Sequence, residues 1–230
     1  MKQTISSQTS TEIVTTPQAI TENSFALIQQ ELKDAGIALP TETAPIVERM
    51  IHSTADFDFA TITHFSDGAA QAGIQALQSS CAIITDVNMI RMGISAQRVQ
   101  QQHCSLHCFV AEDEVRQQAI ATGNTRSALG IRMAWERGLL ENSIVVIGNA
   151  PTALYEIMRL MDEENVKPAL IVGVPVGFVN VVESKVALME RKDIAWIATQ
   201  GRKGGSAVAV AIVNALLRLA AQVEATEIDH

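Results

Sequence analysis

The turn at residues 201–206, G-R-K-G-G-S, combines two cations and three glycines immediately before an apolar stretch. In such a turn the backbone N–H groups can approach a carboxylate or a phosphate closely, and the start of a helix favours an anion. The lysine precedes the glycine pair, so the string is not a P-loop. Two interpretations stay open: an anion site, or a flexible strand-to-helix turn with solvated charges.

A second string, His-Cys-Ser-Leu-His-Cys at residues 103–108, has the residue types of a metal site. On a strand, His103 and His107 would lie about 13 Å apart at about 3.3 Å per residue, too far for one zinc ion to bridge. A helix would bring them together, but Val110 and the branched apolar neighbours favour a strand. We therefore predict buried thiols with histidines at the sheet edge, and no metal ligands.

Two single residues are candidates for chemistry. His52 follows Ile51 at the end of a predicted helix, where it is either a helix-end packing residue or an acid–base group. Arg126 lies in the first turn of another predicted helix, where a cation opposes the helix dipole. A role in ligand binding is therefore as plausible for Arg126 as a place on the surface.

The chain around residues 143–161 indicates how such residues are positioned. The branched apolar run at 143–147 is a buried strand, stopped by Gly-Asn-Ala-Pro-Thr, and the apolar residues that follow recur at helical spacing. Pro151 suits the first turn of that helix because it lacks an N–H group. Such a corner at the carboxyl end of a parallel strand forms the ligand crevice of open sheets. The turn lacks the later glycines of the dinucleotide fingerprint, which disfavours a dehydrogenase.

Five apolar runs separated by helical patterns predict the fold class. Parallel neighbours need long crossovers, so the alternation indicates a three-layer α/β/α domain with a mostly parallel five-stranded sheet. The predicted strands cover residues 81–87, 106–110, 143–147, 169–175 and 194–199. The predicted helices cover residues 23–36, 45–56, 67–79, 112–122, 125–141, 151–161, 181–191 and 207–221, with 88–93 helical or looped.

Composition limits the domain organisation and the compartment. The chain has 230 residues, 47% apolar, with a net charge of -8, which disfavours nucleic-acid binding through a basic surface. Residues 1–20 are polar and lack periodicity, so we predict a disordered leader followed by one domain at 21–225. Three cysteines and the absence of a signal peptide or a long apolar span favour a reducing cytoplasm and disfavour a membrane location.

Several strings together resemble the precorrin-8X methylmutases, also called cobalt-precorrin-8 methylmutases, over about residues 23–219. Ala55 stands where that family often has glycine. The strings lie at residues 24–25, 49–52, 85–89, 124–128, 147–154, 175–179, 183–185 and 201–207.

This resemblance implies an isomerase of cobalamin biosynthesis. The reaction moves a methyl group between adjacent ring C carbons of a tetrapyrrole, converting precorrin-8X or cobalt-precorrin-8 to hydrogenobyrinate or cobyrinate. It consumes no donor, so no cofactor is implied, and the resemblance implies a homodimer. Whether the substrate carries cobalt stays open, although the strings at 87–89 and 104–108 look more like the cobalt-route members.

The resemblance also assigns roles to residues. His52 matches the proton donor and acceptor, Ser24 a substrate-contacting position, and Arg126 an arginine near the macrocycle. A substrate with many carboxylates calls for helix starts and glycine turns, so we expect further contacts from Asn149, Ala150, Thr152, Gly177, Gly204, Gly205 and Ser206. Two other classes stay in view: a non-catalytic corrinoid carrier, which would not need His52, and a nucleotide-dependent oxidoreductase.

Overall fold

The computed structural model describes residues 15–228, with side chains described up to residue 222. By its contacts the chain divides into two units, the first ending at Ala38 and the second beginning at Leu39. Most of the predicted leader, residues 1–14, lies outside the described residues.

The first unit contains helix α1, Pro17–Asp34, in which Ile28 and Leu32 are buried. The predicted start at residue 23 was wrong, because Pro17 takes the first helical position, where its missing N–H group leaves no bond unmade. The last residues of the predicted leader are therefore helical.

The second unit is built on one six-stranded sheet with the order β1-β6-β5-β4-β2-β3. Its five strands from β6 to β3 are mutually parallel, which confirms the predicted fold class. The strands are β1 (Thr63–Phe65), β2 (Ala82–Thr85), β3 (Ser105–His107), β4 (Ile144–Ile147), β5 (Leu170–Gly173) and β6 (Trp196–Thr199).

Helices cover both faces of this sheet. Ile171 belongs to a core with α8 and α9, whereas the neighbouring Leu170 points toward Gly73 of α4, beside Leu216 of α11. The alternation follows from the pleat of a strand buried on both faces. The helices are α2 (Ala44–Thr54), α3 (Phe59–Ile62), α4 (Ala69–Gln78), α5 (Asn88–Gly93), α6 (Ala96–Gln101), α7 (Asp113–Thr122), α8 (Arg126–Glu136), α9 (Pro151–Glu164), α10 (Val181–Met189) and α11 (Ser206–Ile228).

Several details differ from the sequence prediction, which also lacked the short helices α3 and α6. The sixth strand, β1, pairs antiparallel with β6 and was missed because three residues are too few to show a pattern. The prediction of a strand at 106–110 was wrong at both ends: β3 stops at His107, and Phe109 enters the core from a turn. Helix α8 ends at Glu136, before the predicted 141, and Gly138 follows in a left-handed conformation with φ 69°.

Candidate active site

The strand order reverses between β2 and β4, and their carboxyl ends lie side by side. In an open parallel sheet this is where ligands bind. The predicted turns after β4, β5 and β6 all lie along the same carboxyl edge, since these strands are parallel neighbours.

At the reversal point, which we call the Asp86 corner (residues 85–88 and 147–152), a buried carboxylate organises the turn. Asp86 is 1% exposed and accepts N–H groups from Gly148 at 3.2 Å, Asn149 at 3.0 Å and Ala150 at 2.7 Å. Burial raises the pKa of Asp86, and these N–H groups oppose the rise. The expected N–H anion site after β4 is thus already occupied by the protein's own carboxylate. A substrate contact at Asn149 or Ala150 has to use other atoms.

Next to the Asp86 corner, a hydrogen bond between two threonines connects the start of α8 with the start of α9. The hydroxyl oxygens of Thr125 and Thr152 lie 2.7 Å apart, and Thr125 also caps α8 by accepting the N–H of Ala128 at 3.3 Å. The cap places Arg126, whose side chain is exposed, at the first position of α8. A groove of about 710 Å³ begins here and is lined by Asn124, Thr125, Thr152, Tyr155 and Arg159 among others.

The turns after β5 and β6 form what we call the Lys185 corner (Lys185 with residues 174–178 and 199–206). The N–H of Gly205 donates to the Val174 carbonyl at 2.8 Å, and the N–H of Gly177 donates to the Arg202 carbonyl at 3.3 Å. At Gly204, φ is 156° and a Cβ would lie 2.2 Å from the Val174 oxygen. The backbones are this close only because residue 204 has no side chain.

Lys185 itself is fully buried beneath this corner. Its Nζ donates to the Thr199 hydroxyl at 3.2 Å and to the Lys203 carbonyl at 2.9 Å. Burial alone lowers the pKa of Lys185 to about 8. Among the described residues, no carboxylate lies within ion-pair distance of this ammonium. The sequence around Lys185 gives no sign of a buried cation.

The two cations of the turn at 201–206 are not both available to a ligand. Lys203 Nζ lies 2.6 Å from a carboxylate oxygen of Asp56 and 2.6 Å from one of Asp58. The Arg202 guanidinium lies over the ring of Phe178, 5.3 Å from its centroid. The Lys203 pairs connect the turn to the chain that follows α2, and α2 carries His52.

His52 lies in the last turn of α2, with its side chain exposed. Partial burial and the charge of Arg49 lower the pKa of His52, which favours the neutral imidazole near pH 7. Ala55, the C-cap residue that follows α2, is in a left-handed conformation with φ 52°. Glycine adopts this conformation without a steric penalty, whereas it costs an alanine about 1 kcal/mol.

Two arginines on other helices act electrostatically on Arg49, which lies three residues before His52 on α2. Burial lowers the pKa of Arg49, and so do the charges of Arg218 on α11 and Arg98 on α6. Sequence reasoning missed this arginine group (Arg49, Arg98, Arg218) because its members are far apart along the chain. In a protein of net charge -8, such a concentration of positive charge suits an anionic ligand.

Two further predicted contacts have ordinary local surroundings. Ser24 belongs to the first unit, where its hydroxyl donates to the Ile20 carbonyl at 2.7 Å. Ser206 is the first residue of α11 and is half-buried.

The string at 103–108 does not assemble a metal site within residues 15–228: no group of three or more potential ligands occurs there. His107 stacks on Phe109 with ring centroids 5.9 Å apart. Cys81, Cys104 and Cys108 are free thiols.

The fold defines an α/β protein with a doubly wound, mostly parallel sheet, and its candidate site lies at the carboxyl edge of that sheet. The model of the precorrin-8X methylmutase family matches residues 19–219. The cobalt-precorrin-8 methylmutase of Leptospira interrogans is 44% identical over 88% of this chain and 94% of its own length. The precorrin-8X methylmutase of Pseudomonas aeruginosa is 42% identical over 86% of this chain and 94% of its own.

A solved structure agrees with these relatives. The precorrin-8X methylmutase of Thermus thermophilus superposes with a TM-score of 0.83 at 43% identity, covering 90% of this chain and 97% of that one. The chain therefore belongs to the precorrin-8X methylmutase family and is an isomerase, a methylmutase of cobalamin biosynthesis. None of the helices described in residues 15–228 is long and apolar enough to cross a membrane.

Proposed function

We propose that the protein moves a methyl group between adjacent ring C carbons of precorrin-8X or cobalt-precorrin-8, with His52 giving a proton to the ring system and later taking it back. The observation that carries this assignment is the position of His52, an exposed imidazole whose pKa is lowered by partial burial and by the charge of Arg49, a member of the arginine group. The proton draws electrons toward the conjugated ring, which allows the methyl group to leave one carbon and bond to its neighbour. The methyl group stays within the substrate and His52 recovers its proton, so the reaction requires no co-reactant.

The arginine group suits the substrate as well as the chemistry. A macrocycle with several acetate and propionate carboxylates needs positive charge, and guanidinium groups bind carboxylates through paired hydrogen bonds. Further contacts are proposed from Arg126, Thr152 and Ser206, and from the surfaces of the two corners at Asn149, Ala150, Gly177, Gly204 and Gly205. The substrate contact of Ser24 stays a prediction from the resemblance.

Replacing His52 tests the proposal. His52→Ala should fold and bind the macrocycle, while conversion under single-turnover conditions slows by about 10²–10⁴-fold, the usual scale for losing a positioned general acid. The absorbance change of the macrocycle measures the step directly. His64→Ala is the matched control, since that histidine lies on β1, where its ring Nε2 is 3.4 Å from the side-chain oxygen of Gln200. Wild-type conversion by His52→Ala would refute the assignment, and wild-type protein that binds but never converts would favour a corrinoid carrier.

A homodimer in a reducing cytoplasm belongs to the same proposal. A macrocycle is wide for the crevice of one chain of this size, and the free thiols suit a reducing compartment. Light scattering at micromolar concentration should give twice the monomer mass. Assays of metal-free and cobalt-containing substrates side by side would decide which one the protein uses.

A further inference from the structure

Lys185 is a buried cation that the reaction as proposed does not use. Its side chain is fully buried, and its only hydrogen-bond acceptors in the described chain are the Thr199 hydroxyl at 3.2 Å and the Lys203 carbonyl at 2.9 Å. Both acceptors are neutral. A buried charge without a counterion destabilises a folded protein, so a lysine here needs an explanation beyond packing.

The hydrogen bonds alone do not supply that explanation. The Thr199 hydroxyl already donates to the Lys203 carbonyl at 2.8 Å, so this carbonyl would keep a partner without lysine. An apolar side chain of similar length would fill the same space without the desolvation penalty. What lysine alone adds at this position is positive charge.

The position of this charge gives it a use. The Lys203 carbonyl belongs to the turn that also contains Gly204, Gly205 and Ser206, and this turn lies on the carboxyl edge of the sheet. The side chain of Lys203, which also lies in this turn, forms ion pairs with Asp56 and Asp58. The buried ammonium therefore supplies positive potential to the turn from below, where water screens it little.

We propose that Lys185 is a positioning residue for the anionic substrate: it fixes the turn at 201–206 through the Lys203 carbonyl and draws a substrate carboxylate to that turn by its charge. This inference rests on the proposed function, because it requires a polycarboxylate ligand. It assigns Lys185 to substrate affinity and gives it no part in the proton transfer.

A change of pH can remove the charge while keeping the contacts. The pKa of Lys185 is lowered to about 8, and a neutral amine still carries two N–H groups for its two acceptors. The charged groups around the corner are Lys203 with Asp56 and Asp58, and Arg202 over Phe178. The carboxylates raise the pKa of Lys203, and the hydrogen bond from Lys203 lowers the pKa of Asp56, so this pair keeps both of its charges between pH 7 and 9.5. The pKa of the Cys104 thiol is also lowered, but this residue precedes β3, which lies at the edge of the sheet far from β6 and the Lys185 corner.

The test is a binding titration of cobyrinate, followed by absorbance, at pH 7 and pH 9.5. Wild-type affinity should fall about tenfold between these values, the scale of one favourable charge interaction. Lys185→Met should bind about tenfold more weakly than wild type at pH 7 and show no further loss at pH 9.5. Lys192→Met is the control. It removes an exposed lysine that, like Lys185, precedes β6 in the sequence, and it should behave as wild type.

Each outcome decides one point. Wild-type affinity in Lys185→Met, or an unchanged pH dependence in that variant, overturns the role of Lys185. Should Lys185→Met fail to fold, constant wild-type affinity from pH 7 to 9.5 overturns it equally. Wild-type protein that binds neither cobyrinate nor the metal-free hydrogenobyrinate at either pH refutes the proposed function itself, which distinguishes the two failures.

Discussion

The Asp86 corner and the Lys185 corner each contain a buried ionisable side chain, but they satisfy it differently. Asp86 accepts three backbone N–H groups, so its charge is compensated where it lies. Lys185 has two neutral acceptors and keeps its charge uncompensated. In the Asp86 corner, the charge of Asp86 fixes the shape of a turn. In the Lys185 corner, close backbone contact largely fixes the turn, and the charge of Lys185 can act on a ligand.

The largest expected effect tests the close contact in the Lys185 corner. In Gly204→Ala, the new Cβ would lie 2.2 Å from the Val174 oxygen at a backbone φ of 156°. We expect the free energy of unfolding to fall by about 3–5 kcal/mol, combining overpacking with backbone strain. Gly201→Ala is the control in the same turn, because its Cβ would meet nothing within 4 Å; its left-handed backbone should cost about 1 kcal/mol. Equal losses in urea denaturation would show that conformation alone, and not contact, requires Gly204.

The next effect tests the Asp86 corner. Asp86→Asn replaces one acceptor oxygen with an N–H₂ group that faces backbone N–H donors, so we expect a loss of about 2–4 kcal/mol from unsatisfied buried donors. Asp113→Asn is the control, since that side chain is 84% exposed in its pair with Arg116, and should cost under about 1 kcal/mol. Chemical denaturation of both variants measures the difference. A loss for Asp86→Asn no larger than the control's would mean that the turn keeps its shape without the carboxylate.

For Lys185→Met we expect the free energy of unfolding at pH 7 to rise, the opposite of the two preceding substitutions. Its pKa is about 8 in the folded protein and 10.5 in the unfolded chain, so the unfolded state binds more protons between these values and stability rises with pH across that window. Below pH 8 the charge carries its full penalty, at most about 3 kcal/mol. Lys185→Met should therefore be more stable than wild type at pH 7 and should lack the rise between pH 8 and 10.5. Destabilisation at pH 7 would show that the two hydrogen bonds outweigh the buried charge.

The smallest effect concerns an exposed charge, in contrast to the two buried ones. Arg126→Ala should weaken cobyrinate binding about tenfold at low salt and less at high salt, because ions screen an exposed guanidinium. Arg116→Ala removes an exposed arginine from the neighbouring α7 and serves as the control. Affinity unchanged at every salt concentration would place Arg126 outside the binding site.

Much of the fold follows from local sequence. Buried parallel strands such as β4 are continuous branched apolar runs, and Pro151 marks the start of α9 in the sequence as it does in the structure. The string 124–128 likewise predicts the start of α8, where Thr125 acts as the cap. These elements are specified by neighbours in the chain, so periodicity and turn chemistry suffice to find them.

The pairing of polar and charged groups was decided by the tertiary structure. Asp86 meets Gly148 across 62 positions of sequence, and Lys203 meets Asp56 across 147. A pattern of residue types shows that a turn offers N–H groups or cations, but not whether a distant carboxylate already binds them. Burial of Lys185 likewise depends on how α10 packs over β6, a long-range contact. The sequence by itself determined the parallel core of the sheet and the family. The tertiary structure decided which charges are compensated inside the protein and which are not, because electrostatic partners are chosen by distance in space.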